Sequence, residues 1–309
     1  MLIHIEQLLA DPSVTDVLIS PPTGVWVDDG RGLHAVAGMP VTEESVRVLA
    51  QELISRGGRH IDQLGPMADV RLSGGIRVHA VLAPIAHAGT AISIRVPRTQ
   101  GWTLDDLART GMASDDQVAA LREAVAQRQN ILISGSTGTG KTTLLAALLA
   151  EIPESERIIT IEDVAELEVR HPCVVGLEAR QPNGDGVGAI GLGELVRQAL
   201  RMRPDRLVVG ECRGPELLDF LTALNTGHSG GGITLHANSL AQVPARLIAL
   251  AHAHQISAAA LTSLAGSAID LVVHLERRDA QRRIAGIGVL RETPEGLRVE
   301  PTRSQANHP

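Results

Sequence analysis

The segment Gly135-Ser136-Thr137-Gly138-Thr139-Gly140-Lys141-Thr142 fits the pattern G-x-x-x-x-G-K-[ST], and each residue type in it answers a need of phosphate chemistry. The glycines let backbone N–H groups close around an anion, and a helix opening at Lys141 adds partial positive charge. Lys141 can reach the β- and γ-phosphates of a nucleotide, and the Thr142 hydroxyl suits Mg²⁺. Thr143 completes the set of nucleotide-binding candidates. Of the 28 lysine-plus-arginine positions only Lys141 is a lysine. In a chain that uses arginine everywhere else, the one compact ammonium stands where a planar guanidinium cannot substitute. A Gly/Thr-rich turn before a helix is the inert reading of the same residues. The complete motif and the lone lysine point instead to ATP.

Two apolar runs end in acids. Ile158-Ile159-Thr160-Ile161 is followed by Glu162 and Asp163, and Leu207-Val208-Val209-Gly210 by Glu211, with Arg213 just beyond. At the C-terminal edge of a parallel sheet such strand ends face the ligand crevice. Adjacent strand residues point to opposite faces, so only one of Glu162 and Asp163 should reach an attacking water, leaving the other to the loop or the metal shell. The second run is similar to a Walker B strand with glycine where aspartate is common, leaving Glu211 to hold Mg²⁺ through water. A third stretch, Thr226 to Ser239, places His228 and His236 on either side of Gly230-Gly231-Gly232 and a short apolar run. A histidine at a strand end, as His236 should be, is the better catalytic candidate, whereas a lone histidine like His228 is often structural. No other His or Cys group converges in sequence to suggest a protein-held transition metal.

The elements that must position these groups follow from periodicity. From Ser114 onward strands and helices alternate: a helix opens at the Ser114/Gln117 capping box, a strand runs over Ile131 to Ser134, and a helix from Lys141 carries Leu144, Leu145, Leu148 and Leu149. Further strands are expected at 158–161, 207–210, 233–235 and 271–275, with a helix over 192–202. Alternation of this kind predicts an α/β fold with a parallel sheet covered on both faces, and the phosphate loop followed by acid-ended strands resembles the order in which RecA-like P-loop sheets present these elements. Before it, residues 1–96 read as a small α+β domain. Its strands are expected near 15–19, 24–27, 76–82 and 91–96, and its helix over 42–56 stops at Gly57-Gly58. Residues 97–113 read as a linker with a short helix, and 114–309 as the ATPase domain.

Composition narrows the function. The 309 residues, 44% of them apolar, suffice for two cores. A net charge of −7 and an aromatic set limited to Trp26, Trp102 and Phe220 argue against a basic nucleic-acid surface or base-stacking platform. Cys173 and Cys212 form no framework, which fits a reducing compartment. The first residues lack the basic n-region of a signal peptide, and no apolar run approaches the roughly 18 residues of a membrane span. Membrane attachment is therefore expected through partners.

In their order along the chain, the loop 135–142, the acidic box 160–166, the strand 207–211 and the histidine box 227–238 resemble the secretion ATPases of type II and type IV secretion and type IV pili. Within that superfamily, Leu177-Glu178-Ala179-Arg180-Gln181-Pro182-Asn183 and Leu200-Arg201-Met202-Arg203-Pro204-Asp205-Arg206 resemble the tight-adherence pilus branch, especially its actinobacterial members. The resemblance implies a homohexameric, Mg²⁺-dependent ATPase in the cytoplasm, peripheral at the inner membrane. It would drive pilus assembly or secretion through an inner-membrane platform protein. It also implies residue roles: Glu162 activates water, Glu211 is the Walker B acid, His236 senses the nucleotide, and Arg95 in Ser93-Ile94-Arg95 contacts phosphate. Alternatives are a conjugation-type secretion ATPase, a RecA-like DNA translocase, which charge and aromatic content disfavour, and a nucleotide-gated scaffold with little turnover.

Overall fold

A computed structural model of the chain describes residues 2–11, 13–96, 101–180, 187–278 and 281–302. The chain divides into two compact units, Met1–Gln100 and Gly101–Pro309. The expected linker positions 97–100 and the motif residues Gln181, Pro182 and Asn183 lie outside the described residues.

The first unit runs α1 (Leu2–Leu9), β1 (Asp16–Ser20), β2 (Gly24–Asp28), β3 (Leu33–Ala35), α2 (Glu43–Arg56), β4 (Met67–Arg71), β5 (Arg77–Val81) and β6 (Ala91–Arg95). Its strands form an antiparallel sheet in the order β3-β2-β1-β6-β5-β4. Strict alternation buries Val17, Ile19, Val25, Val27, Val78, Ala80, Ile92 and Ile94 in one core with Ile5 and the α2 stripe Val46, Leu49, Ala50, Leu53 and Ile54. Helix α2 begins where the sequence places it, with Thr42 as N-cap in a capping box with Ser45. Helix α1 and strands β3 and β4 are not legible in the sequence: β3 is a fully exposed three-residue edge strand, and β4 alternates through Ala68 and Val70 without a run of strong β-formers.

The second unit comprises α3 (Leu104–Arg109), α4 (Asp115–Ala126), β7 (Ile131–Gly135), α5 (Lys141–Ala150), β8 (Ile158–Glu162), β9 (Val174–Glu178) and α6 (Leu192–Ala199). There follow β10 (Arg206–Cys212), α7 (Glu216–Asn225), β11 (Gly232–Leu235), α8 (Val243–Ala253), α9 (Ala258–Ala268), β12 (Leu271–Arg278), β13 (Gln281–Thr293) and β14 (Gly296–Pro301). The sheet order is β14-β13-β12-β7-β11-β10-β8-β9. Strands β12 to β9 along that order are parallel, and β13 and β14 extend the sheet antiparallel. The expected parallel sheet is thus a mixed one with a hairpin at its edge. Alternate residues feed two cores: Ile131, Ile133, Val208 and Val273 pack with α3, α4 and α5, while Leu132, Ile159, Ile161, Leu207 and Val209 pack with α6 to α9. Both faces are covered, which is why the strands read as continuous apolar runs. The stretch expected as linker helix is α3, capped by Thr103 with Asp106 and burying Leu104 and Leu107 in the α5-side core.

Candidate functional site

Parallel strands present their C-terminal ends on one edge, so the residues after β7, β8, β10 and β11 converge there. Strand β7 runs into the loop 135–140, and α5 opens at Lys141 from Gly140, whose φ of 97° is left-handed and whose lack of a side chain leaves α5 without a side-chain N-cap. The first-turn N–H groups of α5 are thus available to an anion. Within the loop the Thr139 hydroxyl donates to Ser136 O at 2.8 Å, and Lys141 Nζ donates to Gly135 O and Ser136 O, both at 3.0 Å. Lys141 is 9% exposed, and burial lowers its ammonium pKa against the pull of Glu211. The compact ammonium lies inside the loop, with Thr142 next along the helix.

Strand β10 does not keep its alternation to the end. Val208 and Val209 pair with Gly232 and Ile233 of β11, but the next pair is Cys212 with Leu235, so β10 holds one extra residue at Gly210-Glu211. Strict alternation would turn Glu211 to the same face as Val209. The bulge instead puts Cys212 into the core that holds Val209, where burial drives its thiol pKa far up, and leaves Glu211 half-buried at the sheet edge. Thr234 Oγ1 donates to Gly210 O at 2.5 Å and satisfies the bulged carbonyl.

Arg213 and His236 gather at Glu211, and Thr137 joins them through His236. Arg213 Nη2 donates to Glu211 Oε2 at 2.5 Å. His236, just past β11, brings Nε2 to 3.7 Å from Glu211 Oε1 and to 3.1 Å from Thr137 Oγ1 at the loop tip. Burial and then the Lys141 charge lower the His236 pKa below its ordinary value, which favours the neutral ring, with one nitrogen donating a hydrogen bond and the other accepting one. The turn carrying Arg213 is held by the buried Glu216, whose Oε1 accepts from the backbone N–H of Arg213 and Gly214, both at 2.7 Å. Glu162, 5% exposed at the end of β8, accepts at Oε1 from the N–H groups of Glu166 at 2.9 Å and Leu167 at 3.0 Å. Its neighbour Asp163 is exposed; partial desolvation raises its carboxyl pKa against the pull of Arg213.

A model of the family described as type II/IV secretion system protein matches residues 3–289. The chain belongs to that family. It is 46% identical over 295 residues to a putative conjugal transfer protein of Mycobacterium tuberculosis, covering 93% of this chain and 84% of the relative. It is 34% identical over 317 residues to the type IV secretion system protein PtlH of Bordetella pertussis, covering 92% and 93%. Among solved structures, the VirB11 ATPase of the Brucella suis type IV secretion system, in complex with sulphate, is 29% identical with a TM-score of 0.50 over 93% of this chain and 96% of that one. The pilus retraction motor PilT with bound ADP, at 19% identity, a TM-score of 0.66 and coverage of 98% and 84%, shares the fold. Secretion ATPase is the activity class of this chain.

As a secretion ATPase, the chain gathers Lys141, Thr137, Glu211 and His236 at one sheet edge, with Arg213 closing over Glu211. The two histidines of the sequence reading part company. His236 follows the C-terminal end of β11, whereas His228 precedes its start and bonds through Nδ1 and its backbone N–H to Ala223 O near the end of α7, at 3.2 and 3.4 Å. The glycine run between them is a place of close approach: a Cβ at Gly231 would stand 2.5 Å from Leu224 Cδ2, and one at Gly232 2.9 Å from Leu145 Cδ1. Arg95 ends β6 in the first unit, exposed, opposite Arg77 of β5 and Asp16 of β1. Neither Glu216 nor Thr234 stands out in the sequence: an acid at a helix start is ordinary, even though Glu216 holds the adjacent turn, and the Thr234 partner, Gly210 O, comes from another strand.

Proposed function

We propose that this chain is a hexameric Mg²⁺-ATPase driving a pilus or secretion machine from the cytoplasmic face of the inner membrane, bound there through a platform protein. The observation that supports it best is the placement of Lys141, Glu211 and His236 within one cluster at the strand ends, with Glu162 at the end of the neighbouring β8. The loop N–H groups and Lys141 would bind the β- and γ-phosphates of ATP and stabilise charge on the transferring phosphoryl group. Thr142 and Glu211 would hold Mg²⁺, an oxygen donor set that suits a hard cation, which would neutralise phosphate charge. Glu162 would orient the attacking water and take its proton, and the neutral His236, between Thr137 and Glu211, would register the γ-phosphate. For Arg95 the proposal is a phosphate contact, resting on its match to the family pattern; Arg95→Ala in an intact hexamer should lower turnover about 10²-fold. Among the described residues no helix is long and apolar enough to cross a membrane.

The finer assignment is the tight-adherence pilus branch, supported by the sequences 177–183 and 200–206. A conjugation-type role is the second reading, favoured by the printed name of the 46% identical relative. Pilin genes beside this gene would support the first and a relaxase gene the second. The direct test is steady-state phosphate release by the purified protein. Glu162→Gln should bind ATP with Mg²⁺ nearly normally and turn over about 10²-fold slower or worse, whereas Glu211→Gln should also weaken Mg²⁺-dependent binding. Turnover left intact by both substitutions would reject the two-carboxylate mechanism, and no phosphate release by the wild type would leave a nucleotide-gated scaffold.

A further inference from the structure

Gly210 stands where P-loop ATPases commonly carry aspartate. Its φ is not left-handed, so the backbone would accept any L-residue and the glycine answers to something else. Strands β8 and β10 pair Ile161 with Val209, which brings Glu162 and Gly210 side by side at the next register position. A Cβ built on Gly210 would lie 2.7 Å from Glu162 Cγ, 3.1 Å from Oε1 and 3.3 Å from Cδ. Neither partner can step aside. Gly210 is fixed from the other side by the 2.5 Å bond from Thr234 Oγ1 to its carbonyl, and Glu162 is buried with Oε1 held by the Glu166 and Leu167 N–H groups. The clash falls on Cγ, the inner part of the glutamate chain, where a methyl cannot be avoided by swinging the far end.

We infer that Gly210 is a positioning residue: the missing side chain is the space in which the Glu162 carboxylate lies across β10, and this space sets where that carboxylate aims. The glycine and the glutamate are therefore one device. An acid at 210 would occupy the volume the Glu162 chain needs, so the two strands together supply Glu162 from β8 and Glu211 from the bulge. This inference rests on the proposed role of Glu162.

The test is a double-mutant cycle on the full chain, using Gly210→Ala, Glu162→Ala and the pair, with Glu162→Gln measured in parallel. Displacing a reacting group by about 1 Å costs about 10²-fold, so Gly210→Ala should lower kcat about 10- to 100-fold with KM for ATP changed less than about threefold. In the Glu162→Ala background the same methyl has room, so its effects on melting temperature and on residual kcat should vanish. Should Gly210→Ala fail to fold, the double variant should fold and bind a fluorescent ATP analogue. Normal kcat in Gly210→Ala, or a double variant as impaired in folding as the single, overturns the inference. If Glu162→Gln keeps full turnover, the reading of Glu162 itself falls, whatever Gly210→Ala does.

Discussion

The two ends of β10 both hold charge, and they treat it differently. At its start Arg206 is 2% exposed, donating through Nε to Glu156 Oε2 at 2.6 Å and through Nη2 to Val125 O at 3.1 Å. Glu156 also pairs with Arg128 at 3.0 Å, and Arg128 donates to Asp205 O at 2.6 Å. Arg206 and Glu156 are largely buried, at 2% and 16% side-chain exposure, and only Arg128 at the outer end of the cluster reaches the surface, at 38%. At the strand's end the Glu211 side chain is 25% exposed, and its partners Arg213 and His236 are 69% and 39% exposed. Those are long or rotatable groups at the surface, exchangeable for phosphate or metal at small cost. Buried charge held by buried partners stabilises one conformation, and half-buried charge held by exposed partners is open to a ligand.

The largest expected effect falls at the second kind of site. Lys141→Ala should abolish phosphate release, and Lys141→Arg should leave less than about a tenth of wild-type turnover, because the planar head does not fit a loop that binds a compact ammonium. Higher activity in the arginine variant would mean that the lone lysine marks no special need. Both variants should unfold at nearly the wild-type denaturant concentration.

Arg206→Met should do the reverse. Removing one member of a buried pair costs about 3–5 kcal/mol in stability, toward the lower figure here since Glu156 keeps Arg128. Denaturant unfolding would read this, while the KM for ATP of the folded fraction should not move. A loss of turnover at unchanged stability would erase the contrast between the two strand ends.

The smallest effect concerns His274, a buried histidine of β12 whose Nδ1 lies 2.9 Å from Ser134 Oγ. Burial lowers its pKa below the ordinary value. Below about pH 6.5 the unfolded chain binds a proton that the folded chain does not, so stability falls as pH drops from there toward the folded value. Above it the contribution is nil. His274→Gln should flatten this part of the stability curve between pH 7 and 5, by at most about 1.4 kcal/mol for each unit of depression, measured by unfolding at each pH; an unchanged slope would show that the buried ring titrates normally.

Much of the second unit is legible in the sequence because its information is local. The phosphate loop is contiguous, the Ser114/Gln117 capping box spans only four residues, and the apolar runs of β7, β8 and β10 announce strands buried on both faces. Edge elements escape notice for the same reason. Strand β3 is fully exposed and β4 presents alternate residues to solvent, β9 contains the glycine at 176, and the β13–β14 hairpin at the sheet edge shows its register only in the fold.

The sequence by itself determined the chemistry on offer: a loop that can wrap phosphate, one ammonium, two strand-end acids and a histidine box, together with the α/β alternation that brings strand ends to one edge. Tertiary structure alone decided which of these groups meet. It tied His228 to the end of α7 and His236 to Thr137 and Glu211, turned Glu211 out of the core through a one-residue bulge, and let Glu162 lie in the space left by Gly210. Residue type and spacing are properties of one segment, whereas a bulge, a shared face and a missing Cβ have meaning only against the neighbouring strand.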